Sequence, residues 1–150
     1  FSILAEVFTL AGVRCDIDHD IITARWRTPM WNAPFNPLSV LCGGADTREM
    51  VESEHLVSIA VNTMKEIMIL AARSGHTVHA LAINTIITDT RAMAPTKTSM
   101  LQDYESKRPL EVEAILGNTV RIARRHDILT PHLDILYALL EIVDRKNRNR

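Results

Sequence analysis

Ser53-Glu54-His55-Leu56-Val57-Ser58-Ile59-Ala60-Val61-Asn62-Thr63-Met64-Lys65-Glu66-Ile67-Met68-Ile69-Leu70-Ala71-Ala72-Arg73-Ser74-Gly75 is the stretch that decides the fold. Leu56, Val57, Ala60, Val61, Met64, Ile67, Met68 and Ala71 recur at three- and four-residue spacing, so they share one wide apolar face of a helix. Gly75 stands where a helix-ending glycine belongs. A helix with so broad an apolar face needs several neighbours, and the rest of the chain offers them.

Ser2 to Gly12 carries the same spacing at Ile3, Leu4, Val7, Phe8 and Ala11, and Gly12 ends it. Val13 to Ile17 is short enough for an extended stretch. Asp18 to Asp20 supply caps for a helix through Ile21, Ile22 and Trp26. Pro29, Pro34 and Pro37 then predict a kinked or split helix ending at Cys42-Gly43-Gly44, because a proline inside a helix costs about 3 kcal/mol. Val78 to Met93 is helical, and a short helical patch lies around Met100 to Tyr104. Pro109 takes a first helical position ahead of Leu110 to Asp127, and Thr130-Pro131 repeats that start before Leu133, Leu136, Tyr137, Leu140 and Val143. The expectation is a single all-α domain over residues 1–150, with six or seven helices and no internal repeat.

Composition narrows the function classes. Lys plus Arg number 17 and Asp plus Glu 18, a net charge of −1 that gives neither nucleic acid nor a membrane surface an electrostatic hold. No apolar run approaches the ~18 residues of a membrane span. Cys15 and Cys42 lack metal-ligand spacing and are expected as free thiols in a reducing cytosol. The chain opens at Phe1 without an initiator methionine, as an excised piece of a larger cytoplasmic protein would.

Few residues offer chemistry. Asn32 and Asn36 are four apart, so two carboxamides can point together at a ligand's oxygens, or else satisfy backbone groups freed by the prolines. Glu111, third residue of a helix from Pro109, suits the positive end of the macrodipole. Ser99 sits where a helix cap belongs. His76 and His79 straddle a helix end with no further ligand to complete a metal site, and His19, His55, His126 and His132 are scattered near helix ends, where surface placement is expected. Gly43-Gly44 lacks the lysine of a phosphate-binding loop, and the basic tail Arg145 to Arg150 complements a helix C-terminus.

Two blocks carry more. Trp26-Arg27-Thr28-Pro29-Met30-Trp31-Asn32-Ala33-Pro34-Phe35-Asn36-Pro37-Leu38 resembles the W-x-K-L-x-x-N-x-x-x-N-x-L block of ketopantoate reductases. Ser99-Met100-Leu101-Gln102-Asp103 with Arg108-Pro109-Leu110-Glu111-Val112-Glu113-Ala114-Ile115-Leu116-Gly117 resembles that family's S-M-x-x-D…R-x-x-E-x-x-x-I-x-G block. The resemblance spans essentially the whole chain. It implies a helical C-terminal domain related to that of 6-phosphogluconate dehydrogenase, closing over a 2-keto acid. An N-terminal Rossmann domain, absent from this chain, would hold NADP, and a homodimer is expected. By motif, Asn32, Asn36 and Ser99 would bind substrate and Glu111 would lie near the cofactor. The family's proton-donating lysine is replaced by Thr28, whose hydroxyl holds its proton too tightly for efficient acid catalysis. Lys97, two residues before Ser99, is the substitute donor by motif. The replacement leaves two other readings: a family member reducing another 2-keto acid, or a non-catalytic packing and dimerisation module.

Overall fold

The computed structural model describes residues 2–15, 17 and 20–149. In chain order the helices are α1 (Ser2–Leu10), α2 (Ile21–Arg25), α3 (Arg27–Leu41), α4 (Thr47–Glu52), α5 (Glu54–Arg73), α6 (Leu81–Ala92), α7 (Ser99–Glu105), α8 (Asn118–Arg125) and α9 (Pro131–Arg148). A π-helical turn, Glu113–Gly117, runs directly into α8. Among the described residues there is no strand, so the expected all-α class holds, with more helices than the periodicity alone resolved.

α3 is the axis of the molecule. It packs against α4, α5, α6, α7 and α9, and nine of its fifteen residues are buried. The expected split does not occur: α3 runs unbroken through Pro34 and Pro37. Each proline removes one backbone donor, and burial of Met30, Ala33, Phe35 and Leu38 on the surrounding helices outweighs that loss. Pro29 falls in the first turn, where an amide has no helical acceptor to lose. α2 is the short segment before it, capped by Asp20, whose Oδ1 accepts the Thr23 N–H at 3.1 Å. Asp18, the other expected cap, lies outside the described residues.

α5 follows its predicted bounds closely. Ser53 caps it, and it ends with Gly75 at φ +84°, where the His76 N–H reaches back to the Ala71 carbonyl at 2.9 Å. It is, contrary to the sequence expectation, long and apolar enough to cross a membrane by length and composition. Its tertiary setting is that of a core helix, packed on α3, α4, α6, α8 and α9 with Thr63 and Glu66 buried along it. α4 is a helix the periodicity missed. Its signal is a capping box: the Asp46 carboxylate accepts the Glu49 N–H, and the Glu49 carboxylate accepts the Asp46 N–H, both at 2.9 Å.

Two other helix starts differ from expectation, and in both a distant side chain is the cause. Pro109 does not begin a helix. The buried Asp144 of α9 accepts the Leu110 N–H at 2.8 Å, and Asn147 donates to the Arg108 carbonyl at 2.8 Å, which holds 108–110 outside any helix. Helical backbone therefore starts only at Val112, and the π turn follows. At α9, Pro131 is the first residue as expected, but Thr130 makes no side-chain cap. The buried carboxylate of Glu66, from α5, accepts the N–H groups of His132 at 3.0 Å and Leu133 at 2.9 Å. His132 is thus drawn in from the expected surface position, its Nδ1 2.7 Å from Glu66 Oε1.

Candidate functional site

Thr28, Asn32 and Asn36 lie four apart along α3 and so form a ladder on one face. The ladder runs inward: Thr28 is exposed, Asn32 half-buried, and Asn36 only 1% exposed. Trp31 fixes the rotation of the helix, its indole N–H donating to Thr90 of α6 at 3.1 Å and its ring stacking at 5.2 Å on Phe35. The carboxamides do not satisfy backbone groups freed by the prolines. Asn36 Oδ1 is buried with no hydrogen-bond partner among the described residues. An orphaned acceptor of this kind costs about 1–3 kcal/mol, so it marks a position where a donor is wanted.

Beside that inner end sits a pair of buried hydroxyls that sequence reasoning missed. Ser39 Oγ donates to the Asn36 carbonyl at 2.8 Å and shares a 2.6 Å hydrogen bond with Thr98 Oγ1. Thr98, not Ser99, caps α7, its Oγ1 accepting the Leu101 N–H at 3.1 Å. A hydroxyl bound to a partner fifty-nine residues away leaves no local trace, which is why Ser99 drew the assignment. Ser99 becomes the exposed first residue of α7, and the Ser39–Thr98 bond anchors that terminus to the ladder-bearing helix.

Lys97, on the approach to α7, is exposed and turned toward Glu105, with Nζ 2.6 Å and 2.9 Å from the two carboxylate oxygens. Glu111 lies elsewhere. It precedes the π turn, its carbonyl accepts the Ile115 N–H at 3.0 Å, and it lines a cleft of about 590 Å³ with Glu141, Asp144, Arg145 and Arg148. Among the described residues its carboxylate has no hydrogen-bond partner, and no hydrogen bond ties it to the asparagine ladder. The next carboxylate, Glu113, is fully engaged: it accepts from Tyr137 Oη at 2.7 Å and Arg121 Nη1 at 2.6 Å. Those bonds hold Glu113 below the usual carboxylate range and push the Tyr137 phenol up to about 12.

Among the described residues no group of His, Cys, Asp and Glu could hold a metal ion. His76 Nδ1 lies 3.2 Å from Thr23 Oγ1, and His79 Nδ1 accepts the Leu81 N–H at 3.2 Å, so both rings serve local structure. Cys15 and Cys42 are free thiols, as expected.

Comparison with known proteins places this arrangement. Residues 20–144 match the family described as "Ketopantoate reductase PanE/ApbA C terminal". A 2-dehydropantoate 2-reductase of a Nostoc species is 34% identical over 145 residues, covering 97% of this chain and 45% of that protein. The crystal structure of 2-dehydropantoate 2-reductase from Methylococcus capsulatus superposes with a TM-score of 0.89 at 40% identity, over 97% of this chain and 46% of that one. D-mandelate dehydrogenase, 18% identical with a TM-score of 0.84, shares the fold. The chain spans less than half the length of both reductases. By the span of the family match and the fold it shares with these reductases, the chain belongs to the ketopantoate reductase C-terminal family.

Proposed function

We propose that this chain is the substrate-closing domain of an NADP-dependent 2-dehydropantoate 2-reductase, which converts ketopantoate to pantoate in the cytoplasm. The observation that carries the reading is the orphaned Asn36 Oδ1 at the closed end of the Thr28–Asn32–Asn36 ladder. Ketopantoate presents a hydroxyl to donate to that oxygen, and keto and carboxylate oxygens to accept from carboxamide N–H groups. Ser99, at the mouth of the same region, adds a hydroxyl. Bound NADPH supplies the hydride. Glu111 fits that cofactor in its donor chemistry, since an unpartnered carboxylate facing an open cleft accepts hydrogen bonds from hydroxyl or carboxamide groups.

The proton for the nascent alkoxide needs a donor. Thr28 occupies the lysine position of the family block and is suited to hydrogen-bond the substrate carbonyl. Lys97 is the ammonium we assign to the donor role, released from Glu105 when substrate binds. A Rossmann domain outside this chain would hold the cofactor. The exposed apolar face of α1, with Ile3 at 75% and Leu10 at 88% exposure, supports such a neighbour. The protein assembles as a homodimer in this reading.

Oxidation of NADPH with ketopantoate, followed by absorbance on the protein joined to its cofactor domain, tests the proposal. Asn36→Ala should raise KM at least about tenfold. Lys97→Ala should lower kcat by about 100-fold or more with NADPH affinity retained, and Thr28→Lys should raise kcat. Turnover unaffected by Lys97→Ala removes Lys97 from the mechanism. Turnover of a different 2-keto acid alone makes the protein an altered-substrate reductase. No turnover of any leaves the packing and dimerisation reading, which the loss of lysine at Thr28 favours.

A further inference from the structure

Ser39 Oγ and Thr98 Oγ1 lie 2.6 Å apart, and both residues are buried, at 0% and 3% exposure. Their neighbours fix the order of the protons. A carbonyl only accepts, so the single Ser39 hydroxyl proton goes to the Asn36 carbonyl at 2.8 Å. Thr98 must then donate to Ser39, while its own oxygen accepts the Leu101 N–H at 3.1 Å. The result is one directed chain, from the Leu101 N–H through Thr98 and Ser39 to the Asn36 carbonyl. Each proton has one place to go, so the chain holds one geometry.

Packing alone does not require this pair. Two apolar groups of the same shape fill such a site at little or no loss, whereas two buried hydroxyls add direction. Here the direction runs between the turn of α3 that carries Asn36 and the first turn of α7, where Ser99 follows Thr98. A second tie comes from α4. Thr47, 1% exposed, donates its N–H to the Thr96 carbonyl, and its Oγ1 accepts the Thr96 N–H, both at 3.0 Å. Thr96 and Thr98 are thus held on either side of Lys97, which fixes its backbone and leaves its exposed side chain free to turn.

We infer that Ser39 and Thr98 are positioning residues for the substrate: their hydroxyl chain sets the register between Asn36 on α3 and Ser99 on α7. The inference rests on the reading above, in which Asn36 and Ser99 bind the keto acid. Both hydroxyls are engaged within the chain, so they act through Asn36 and Ser99 rather than on the substrate itself. A slip of about 1 Å in that register moves the Ser99 hydroxyl off a substrate that Asn36 still holds, and misplacement of that size costs up to about 100-fold.

Ser39→Ala is the sharpest test, because it cuts the link to α3 and leaves the Thr98 cap on α7 in place. In the protein joined to its cofactor domain, KM for ketopantoate, or for whichever 2-keto acid the parent turns over instead, should rise about tenfold. The values of kcat and of KM for NADPH should stay within about twofold. Thr98→Val removes link and cap together and should raise KM at least as much, while Thr98→Ser, which keeps the hydroxyl, should stay within about twofold of the parent. The double variant Ser39→Ala/Thr98→Val should be no worse than Thr98→Val alone, since one chain cannot be cut twice. Where circular dichroism shows that Thr98→Val fails to fold, Ser39→Ala and Thr98→Ser carry the test. A KM unmoved by Ser39→Ala, even with a lowered melting temperature, makes the pair structural only; it overturns the inference and leaves the reductase reading standing. So does a KM raised as much by Thr98→Ser as by Thr98→Val. No turnover of any 2-keto acid by the parent overturns the inference together with the reading on which it rests.

Discussion

α1 and α3 are both rich in apolar residues, yet they meet opposite fates. α1 buries none of its nine residues, and Phe8 is 45% exposed. α3 buries nine of fifteen, and Phe35 is 1% exposed, although α3 contains two internal prolines that should weaken it. Helix propensity favours α1, and tertiary packing favours α3. The difference shows that apolar content measures how much surface a helix can bury, and the neighbours present decide how much it does bury. α3 is wrapped by five helices and can hold a strained sequence and an unsatisfied carboxamide. α1 leaves its apolar face uncovered.

The sharpest test of that contrast is a pair of truncations. Phe35→Ala should lower stability by ~3–5 kcal/mol in urea denaturation, while Phe8→Ala in this chain should stay within ~0.5 kcal/mol. Equal losses would mean that α1 is packed after all. Next comes the cap that α9 receives from across the fold. Glu66→Leu leaves the His132 and Leu133 N–H groups without acceptors and should cost about 3 kcal/mol, readable as a lower melting temperature.

A smaller effect of opposite sign is expected at the ladder. Asn36→Leu keeps the branched shape and removes the orphaned acceptor, so stability should rise by ~1 kcal/mol while reduction of the keto acid is lost. A destabilised variant would show that Oδ1 is satisfied within the fold.

The smallest effect concerns the exposed Glu113–Tyr137 bond. Tyr137 titrates near 12 in the fold against an ordinary 10.0, so the neutral phenol is the form that the fold favours. Its contribution is full below the ordinary value and is lost as pH rises through the folded one. At so exposed a position that loss amounts to a few tenths of a kcal/mol. Gly117→Ala sharpens the point, because a Cβ there runs into the Glu113 carboxylate. Glu113 can swing aside, so stability should change little, but the Tyr137 transition in an ultraviolet titration should fall back toward 10.0.

Much of this architecture was legible before any coordinates. The apolar face of α5 is written in three- and four-residue spacing, and Gly75, Ser53 and Pro131 mark their helix ends by local backbone chemistry. Asn32 and Asn36 stand out because four residues is one helical repeat. α4 was equally local, and its Asp46–Glu49 capping box was the available signal. Other features had none. Thr98 takes the cap assigned to Ser99 through a bond to Ser39, fifty-nine residues away. Pro109 loses its helix start to Asp144, and α9 takes its cap from Glu66.

By itself, then, the sequence determined the all-helical class, the placement of the long helices and the family to which the chain belongs, since each rests on patterns within one or two turns. The tertiary structure alone decided that α3 survives its prolines, that the carboxamide oxygens of Asn36 and Asn147 are buried unpaired, and that α1 and the outer face of α9 stay uncovered. The reason is physical. Helical periodicity is set by backbone geometry that every residue shares with its near neighbours. Burial, capping by remote carboxylates and the pairing of hydroxyls depend on which helices come together, and no local pattern encodes that.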